Sequence, residues 1–361
     1  MAYGIEGRIR DFIENREHAE VGFERLALDV FAYQYERNEP YRRYSDRLGR
    51  PPQAVRHWRD IPAIPTSAFG AARLACFPKS RTVLIFVSSG TTSAGAHPSI
   101  HELESGALYD TSLLAHFHAR VAPDHAPLRL VALAPSIEEA PASSLSYMLS
   151  KIADDLNRGP AFFIRGGALD FDAAAAALRS SKEPVLVFGT AFAFVHFFDR
   201  CRTSGERFRL PVGSRVVETG GFKGKSRVIA RDELYLGFAE FFGVPRVFCI
   251  SEYGMCELGA QWYDANLDDY FAGRPPRIDV KVGPHWARAT IVDPVSAQPV
   301  SDGREGLVQV FDLTNLGSVS AILTSDVGRA TGGGFELRGR FVGAPPKGCS
   351  MALDELLQEQ T

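Results

Sequence analysis

Thr82–Val87 reads TVLIFV, an apolar run that leads directly into the loop Ser88-Ser89-Gly90-Thr91-Thr92-Ser93. We expect a strand here that is covered on both faces, because strands of parallel sheets are continuous apolar runs rather than alternating ones. Similar apolar runs follow at 128–134, 185–190, 214–219 and 246–250. The chain is therefore predicted to build one sheet from several such strands.

Stretches with helical spacing lie between these runs. Residues 102–118 repeat leucine at helical intervals, residues 171–178 are rich in alanine, and residues 228–242 follow Ser226, a residue type that caps helices. Strands that alternate with helices over about 170 residues predict an α/β fold with a largely parallel sheet and crossover helices.

The spacing of apolar and turn-forming residues changes along the chain and divides it into four parts. Residues 1–80 are predicted to form a helical N-terminal cap, and residues 81–275 the α/β core. Residues 276–345 contain short β-like pieces between Pro, Gly and Asp turns, which predicts a smaller, β-rich and mostly antiparallel subdomain. Residues 346–361 are a short C-terminal tail.

Composition excludes several classes of protein. The 361 residues are 45% hydrophobic and 23% charged, which is typical of a globular chain and not of a disordered, collagen-like or coiled-coil protein. A net charge of −3 disfavours a dedicated nucleic-acid binder. No apolar run approaches the roughly 18–20 residues of a membrane span. Residues 1–18 lack an apolar signal core, so we expect a cytoplasmic protein.

The most specific local feature is the loop Ser88–Ser93, which Ala94-Gly95 follows. Its small residues bring backbone N–H groups and hydroxyls close together, so the loop can wrap a polyphosphate. It is not a Walker A loop, because the pattern GxxxxGK[ST] is absent. The alternative is an ordinary polar turn at the end of a strand.

Three further segments follow predicted strands. Glu218–Phe222 (ETGGF) and Ser251–Glu257 (SEYGMCE) come at strand ends, where open α/β sheets bind ligands. Tyr253 could stack on an adenine and Glu257 could hold Mg²⁺, although a half-buried tyrosine and a solvated glutamate are the alternatives. Asp326 in Thr324–Arg329 (TSDVGR) is expected at a strand-to-turn junction, where it could accept from ribose hydroxyls or form an Asx turn.

These segments, in this order, resemble the AMP-forming acyl-adenylating superfamily over residues 80–345. The loop SSGTTS is similar to its phosphate loop, and EYGMCE is similar to its aromatic-Gly-x-Thr-Glu motif. TSDVGR resembles its ribose-binding Thr-Gly-Asp motif, and Gly339-Arg340 resembles the Gly-Arg before its hinge. The fold that this implies is the large N-terminal domain of an AMP-forming ligase, with mixed, largely parallel sheets.

Within the superfamily, the chain resembles the acyl-protein synthetase (LuxE-like) branch. The resemblance rests on Ile61–Phe69 (IPAIPTSAF), Ser143–Met148 (SSLSYM), Thr219–Lys225 (TGGFKGK) and Tyr253-Gly254-Met255 with Gln261. It implies that residues 81–275 bind nucleotide and acyl groups. The superfamily's C-terminal domain is then expected to be reduced or absent here.

The resemblance implies a two-step reaction. A carboxylic acid, expected to be a fatty acid, attacks the α-phosphate of ATP with Mg²⁺ to give acyl-AMP, and the acyl group then passes to a thiol. Cys349 matches the branch's self-acylation site, and Lys347 beside it would favour the thiolate. A tail cysteine without function is the alternative.

The resemblance also implies roles for individual residues. Glu257 would be the metal ligand, and the catalytic residues would be Cys349, Glu257 and Arg340. The loop lacks the lysine that often ends it, so Lys223 could meet the pyrophosphate or be an ordinary solvated charge. The cofactor-binding residues implied are Ser88, Ser89, Gly90, Thr91, Thr92, Ser93, Gly220, Gly221, Lys223, Tyr253, Gly254 and Asp326.

Several alternatives stay open at the level of sequence. The acyl group could pass to coenzyme A or to a carrier protein, or the chain could be a non-catalytic nucleotide- or acyl-binding subunit of a complex. A reductase, a thioesterase and a carrier protein are the candidate partners, and the oligomeric state is undetermined. The acid is also open, because the phenylalanines of Phe188–Phe194 (FGTAFAF) could line an acyl or aryl pocket or belong to an ordinary core.

Overall fold

The computed structural model describes residues 4–15, 19–88, 97–159, 161–220 and 230–341. The chain forms two compact units, each assembled from several segments. The first comprises residues 1–115, 255–261 and 282–361, and the second comprises 116–254 and 262–281. The division of the sequence into four parts stays a prediction.

The regular elements are numbered in chain order. The helices are α1 (Ile5–Glu14), α2 (Ala19–Arg37), α3 (Glu39–Arg47), α4 (Ala68–Ala71), α5 (Ala107–Arg120), α6 (Ser144–Leu156), α7 (Phe171–Ser180), α8 (Ala191–Ser204), α9 (Arg231–Gly237) and α10 (Asn266–Phe271). The strands are β1 (Ile64–Pro65), β2 (Leu84–Val87), β3 (Ile100–Leu103), β4 (Arg129–Pro135), β5 (Phe162–Arg165), β6 (Ala168–Leu169), β7 (Val185–Thr190), β8 (Arg215–Thr219), β9 (Cys249–Tyr253), β10 (Trp262–Asp264), β11 (Val280–Val282), β12 (Ala287–Val292), β13 (Glu305–Asp312), β14 (Ala321–Thr331) and β15 (Gly334–Arg340).

The second unit is built on a sheet with the strand order β11-β10-β9-β8-β7-β4-β5-β6. Its central strands β5, β4, β7, β8 and β9 are parallel, whereas β10 and β6 pair antiparallel at the two sides. Strands β8 and β9 are buried at every position, as the apolar runs predict. Three predicted strands are confirmed at β4, β7 and β8; the run at 246–250 begins with a single 3₁₀ turn, so β9 starts at Cys249.

Capped helices connect these strands. Ser143, Asp170 and Thr190 each accept a hydrogen bond from a first-turn N–H, which fixes the starts of α6, α7 and α8. Helix α9 continues as a π-helical turn, Phe238–Phe242, and ends at Gly243. The helical prediction at 171–178 is thereby confirmed, and the one at 228–242 is confirmed from Arg231 onward; Ser226 lies outside the described residues.

An aromatic core fills the second unit between α8, α9 and the sheet. Phe194 meets Phe238 edge to face, with ring centroids 4.9 Å apart, and Phe198 stacks on Phe241 at 5.0 Å. Phe188 and Phe194 are fully buried. Of the two interpretations of the phenylalanine-rich segment, an ordinary core therefore holds for these two rings.

The first unit combines helices with an antiparallel sheet. Helices α1, α2 and α3 confirm the helical character predicted for the beginning of the chain. Strands β12, β13, β14 and β15 pair antiparallel in sequence order, and the short strand β1 pairs parallel with β14. The predicted antiparallel strands after residue 275 are thus confirmed.

The apolar run TVLIFV does not form the strand that the sequence predicts. Strand β2 pairs antiparallel with β3 in a separate two-stranded sheet, and Val83 and Ile85 are 68% and 45% exposed. The expectation of a strand covered on both faces is therefore wrong. Strands β2 and β3 are thus consecutive and antiparallel, and residues 89–96 between them lie outside the described residues. Hydrophobicity alone does not distinguish these two settings.

No helix in the described part of the chain is both long and apolar enough to cross a bilayer.

Candidate functional site

The structure describes seven of the residues predicted to form the site: Ser88, Gly220, Tyr253, Gly254, Glu257, Asp326 and Arg340. The other predicted residues lie outside the described residues, and their assignments stay predictions. These are Ser89, Gly90, Thr91, Thr92, Ser93, Gly221, Lys223 and Cys349.

In the second unit, two predicted adenine-binding positions lie at one edge of the sheet. Strands β8 and β9 are parallel and pair Thr219 with Glu252, so Gly220 directly follows the last residue of β8 in this pairing and Tyr253 directly follows the last residue of β9 in it. Gly220 has φ +68°, a conformation that glycine adopts at little cost and that turns the chain away from the strand. Tyr253 is buried, and its ring meets the edge of Trp262 with centroids 6.3 Å apart. The carboxyl ends of these two strands thus bring both segments together.

A buried polar cluster lies directly beneath these strand ends. The Thr219 hydroxyl donates to the Glu252 carboxylate, which joins β8 to β9. The Tyr235 hydroxyl donates to Glu218 at 3.1 Å. On the far side of β9, Asp264 accepts from the Ser251 amide at 3.0 Å. These bonds fix the carboxyl ends of β8 and β9, which position Gly220 and Tyr253.

Charge inside this cluster is only partly balanced. The Lys281 ammonium pairs with Asp264, and both side chains are almost fully buried. Burial raises the pKa of Glu218, against the opposing attraction of Lys281. Burial also raises the pKa of Glu252 to about 7, while its hydrogen bond from Thr219 acts in the opposite direction. The cluster therefore contains a carboxyl group that titrates near neutrality.

In the first unit, the predicted metal ligand Glu257 lies in a turn that spans residues 255–261. Its side chain is 6% exposed, and a carboxylate oxygen accepts from the Cys256 thiol at 3.1 Å. The turn is held by three buried side chains of the same unit, His101, Asp312 and Asn315. Cys256 occupies the position at which the superfamily motif has threonine. It is buried, and its thiol contacts the Glu257 carboxylate.

Glu257 fits the chemistry of a magnesium ligand. Magnesium prefers oxygen donors and is often held by one or two protein carboxylates together with phosphate oxygens and water. The described residues contain no group of three or more His, Cys, Asp or Glu that could form a closed metal cage. A single carboxylate such as Glu257 could share its ion with ATP phosphates.

Asp326 and Arg340 lie side by side in the first unit. Strands β14 and β15 pair these two residues directly, and Arg340 Nε lies 3.2 Å from Asp326 Oδ1. The sequence predicts that Asp326 lies at a strand-to-turn junction. This prediction is wrong, because Asp326 lies inside the 11-residue strand β14. The register shifts here against both neighbouring strands, and such a bulge redirects side chains. The bulge is the reason why the sequence pattern looks like a turn.

Ser88 uses its polar groups within the two-stranded sheet. Its hydroxyl accepts from the Ser99 amide at 2.9 Å, and its own amide donates to Ser99 at 3.0 Å. It therefore closes the ladder of β2 and β3 at the base of the predicted phosphate loop. A role for this residue in phosphate binding stays a prediction.

The remaining described cysteines are unsuited to nucleophilic chemistry. Cys76, Cys201 and Cys249 are buried, and burial raises the pKa of each thiol to about 12. A thiol with so high a pKa supplies almost no thiolate at neutral pH.

Sequence reasoning missed the residues that support the site. Glu252, Asp264 and Lys281 form the polar cluster of the second unit, and Asp312 and Asn315 hold the turn of the first. Each is a polar residue beside or within an apolar run, as in Val280–Val282 (VKV). That pattern is a weak signal, because a buried polar group requires a partner and the sequence shows neither the burial nor the partner.

The fold is shared with a solved ligase. The chain superposes on 2-hydroxyisobutyryl-CoA ligase, solved in an open conformation with 2-HIB-AMP and CoA, with a TM-score of 0.64 and 15% identity over 89% of this chain and 75% of that one. At this identity the likeness shows the fold alone, which this chain shares with that ligase.

The family is shown by a second comparison. The family model "Acyl-protein synthetase, LuxE" matches residues 10–358, so the chain belongs to the LuxE acyl-protein synthetase family and is a ligase of the AMP-forming type. A long-chain-fatty-acid–luciferin-component ligase of Vibrio harveyi is 24% identical over 314 residues, covering 84% of this chain and 78% of that protein. The ligase of the same name from Aliivibrio fischeri is 22% identical over 359 residues, covering 93% and 89%.

Proposed function

We propose that this ligase activates a long-chain fatty acid as acyl-AMP and transfers the acyl group to its own Cys349. The observation that carries the proposal is the family match, which runs through residue 358 and so includes the cysteine. The two related ligases, of Vibrio harveyi and Aliivibrio fischeri, are named for the substrate class, a long-chain fatty acid.

In the first step, a carboxylate oxygen attacks the α-phosphorus of ATP and the bond to the bridging oxygen of pyrophosphate breaks. A carboxylate is already an adequate nucleophile, so the protein has to position the reactants and stabilise charge. Mg²⁺, when bound, would neutralise charge on the phosphate oxygens. Glu257 would orient that ion, Asp326 would hold the ribose, and Arg340 would meet the α-phosphate or the ribose. Gly220, Gly221, Tyr253 and Gly254 would frame the adenine.

In the second step, the Cys349 thiolate attacks the acyl carbonyl carbon. A carbon–sulfur bond forms, the carbon–oxygen bond to phosphate breaks, and AMP leaves. The thiol proton goes to solvent, and Lys347 favours the thiolate. Transfer to a reductase, a thioesterase or a carrier protein would follow as thioester exchange or hydrolysis.

The test is ATP–pyrophosphate exchange over a panel of fatty and aromatic acids, followed by intact-mass analysis of the protein. We expect exchange with long-chain acids and a covalent acyl adduct in the absence of coenzyme A. Exchange without an adduct, together with turnover that requires coenzyme A or a carrier protein, would favour the alternative acceptor. ATP binding without exchange for any acid would favour a non-catalytic subunit.

A further inference from the structure

The buried carboxylate of Asp312 holds the turn that carries Glu257. Asp312 Oδ2 accepts from the amides of Gly259 and Ala260 at 2.9 and 2.8 Å. Its other oxygen accepts from the amide and hydroxyl of Thr314 at 2.9 and 2.6 Å. Asp312 is fully buried, so all four bonds form away from water, where hydrogen bonds to a charged group are strong.

Two more side chains hold the turn nearer to Glu257. The Asn315 amide donates to the Glu257 carbonyl at 2.7 Å. His101 Nδ1 lies 2.7 Å from the Cys256 carbonyl; because a carbonyl only accepts, this nitrogen carries the proton and donates. Three side chains thus fix the backbone of Cys256, Glu257, Gly259 and Ala260 in succession.

The approach between the turn and the segment Asp312–Asn315 is too close for any residue larger than glycine at position 259. A Cβ added to Gly259 would lie 2.5 Å from Thr314 Oγ1 and 3.3 Å from Asn315 Oδ1. A contact below 3.0 Å requires the neighbour to move. The bond from Gly259 to Asp312 and the close approach at Gly259 therefore fix the position of the turn against the segment Asp312–Asn315.

We propose that Asp312 is the principal positioning residue for Glu257, and that it sets the metal affinity of the site by fixing the turn at Gly259 and Ala260. The inference rests on the proposed function, in which Glu257 holds the Mg²⁺ of MgATP. Asp312 does not touch the metal. It acts through the backbone, because a carboxylate ligand must be held within a fraction of an ångström to bind a small ion with strict geometry.

The test compares Asp312→Asn with a matched control, Asp293→Asn. Asp293 lies in the same unit and also accepts from turn amides, those of Val295 and Ser296, but it is only half-buried and these bonds lie within its own turn. The asparagine at 312 places an amide donor against the amide of either Gly259 or Thr314. We expect Asp312→Asn to raise the half-saturating Mg²⁺ concentration for ATP–pyrophosphate exchange at least fivefold. The KM for the acid should change less than twofold, and Asp293→Asn should leave both unchanged.

A direct binding measurement separates this inference from the proposed function. Mn²⁺ titrated into protein with ATP, followed by its electron paramagnetic resonance signal, reports metal affinity without turnover. We expect Glu257→Gln and Asp312→Asn to weaken Mn²⁺ binding, each at least fivefold. If wild-type protein catalysed no exchange, the proposed function would fail, while this titration would still test whether Asp312 positions Glu257 for metal binding. Unchanged Mn²⁺ affinity in either variant overturns the inference.

A second variant covers the case in which Asp312→Asn does not fold. Thr314→Val removes the 2.6 Å bond from the Thr314 hydroxyl to Asp312 and keeps the side-chain shape. We expect a cooperative thermal transition and a smaller increase, about twofold, in the same half-saturating Mg²⁺ and Mn²⁺ concentrations. A fall in kcat with no change in either metal concentration would show a merely structural role and would contradict the inference.

Discussion

Arg340 Nε lies 3.2 Å from Asp326 Oδ1, across a pair of strands that places the two residues directly opposite each other. The Arg340 side chain is 56% exposed, whereas that of Asp326 is 13% exposed. An ion pair with so exposed a partner contributes about 0–1 kcal/mol to stability. The pair therefore adds little stability; under the proposed function, its role is to hold a guanidinium and a carboxylate side by side for one nucleotide to contact.

The first prediction removes the guanidinium. If Arg340 donates to the developing phosphate charge as proposed, Arg340→Ala should lower kcat/KM for ATP in the exchange reaction by about 10²–10³-fold, because a preorganised donor is then lost. The melting temperature should hardly change, because the pair is exposed. Arg338→Ala is the control: it lies on the same strand and pairs with Glu336. Equal activity in the two variants would remove Arg340 from the site.

The second prediction concerns the carboxylate. If Asp326 accepts from the ribose hydroxyls, Asp326→Ala should raise the KM for ATP about tenfold and leave the KM for 2′-deoxy-ATP much less affected, since a lost hydrogen bond to a charged group is worth about 1.5–3 kcal/mol. Steady-state kinetics with both nucleotides measure this. A variant that still prefers ATP as strongly as the wild type would exclude contact with the 2′-hydroxyl.

The third prediction follows from Glu252. Its pKa is about 7 in the folded protein, raised by burial, and so the folded state binds a proton more tightly than the unfolded chain does. Stability from this group is complete below the unfolded pKa of about 4.3 and is lost as pH rises through 7. Glu252→Gln should abolish this loss and become, relative to wild type, more stable with rising pH, by on the order of 3 kcal/mol between pH 5 and pH 8.

Urea unfolding at several pH values measures this difference, and glutamine keeps an oxygen that can accept from Thr219. Glu206→Gln is a suitable control, since Glu206 lies in the same unit outside the cluster and pairs with Arg179. A difference between Glu252→Gln and wild type that stayed constant with pH would show that Glu252 is ionised throughout.

The fold was predictable where local pattern and burial agree. The runs at β4, β7 and β8 lie within a sheet covered on both faces, so hydrophobicity alone identifies them. It fails at β2, where an equally apolar run forms an exposed hairpin strand, because pairing partners are set by tertiary structure.

The candidate site shows the same limit. Motif residues such as Gly220, Tyr253 and Asp326 could be selected from the sequence because chemistry constrains their type. The residues that hold them could not, because Glu252, Asp312 and Lys281 depend on partners 33, 53 and 17 positions away. The bulge at Asp326 likewise depends on register with two neighbouring strands.

The fourth prediction tests the ion pair between Lys281 and Asp264. Lys281→Met should destabilise the protein by about 3–5 kcal/mol, because it leaves the Asp264 carboxylate buried without its ammonium partner. Lys281→Met combined with Asp264→Asn should recover part of this loss, since the buried charge is then also removed. A double-mutant cycle by urea unfolding gives the coupling. Additive effects of the two substitutions would show that Arg231, 3.8 Å from Asp264, compensates the carboxylate instead.

The fifth prediction separates the two chemical steps. Cys349→Ser should keep ATP–pyrophosphate exchange within about twofold of wild type, because adenylation needs no thiol, and should abolish the acyl thioester, since a serine hydroxyl is a far weaker nucleophile at neutral pH. Intact mass before and after neutral hydroxylamine, which cleaves thioesters, measures the adduct. Cys201→Ala is the control and should keep the adduct, because Cys201 is buried with its pKa raised to about 12. An adduct that persists in Cys349→Ser and is lost in another cysteine variant would move the acceptor to that residue.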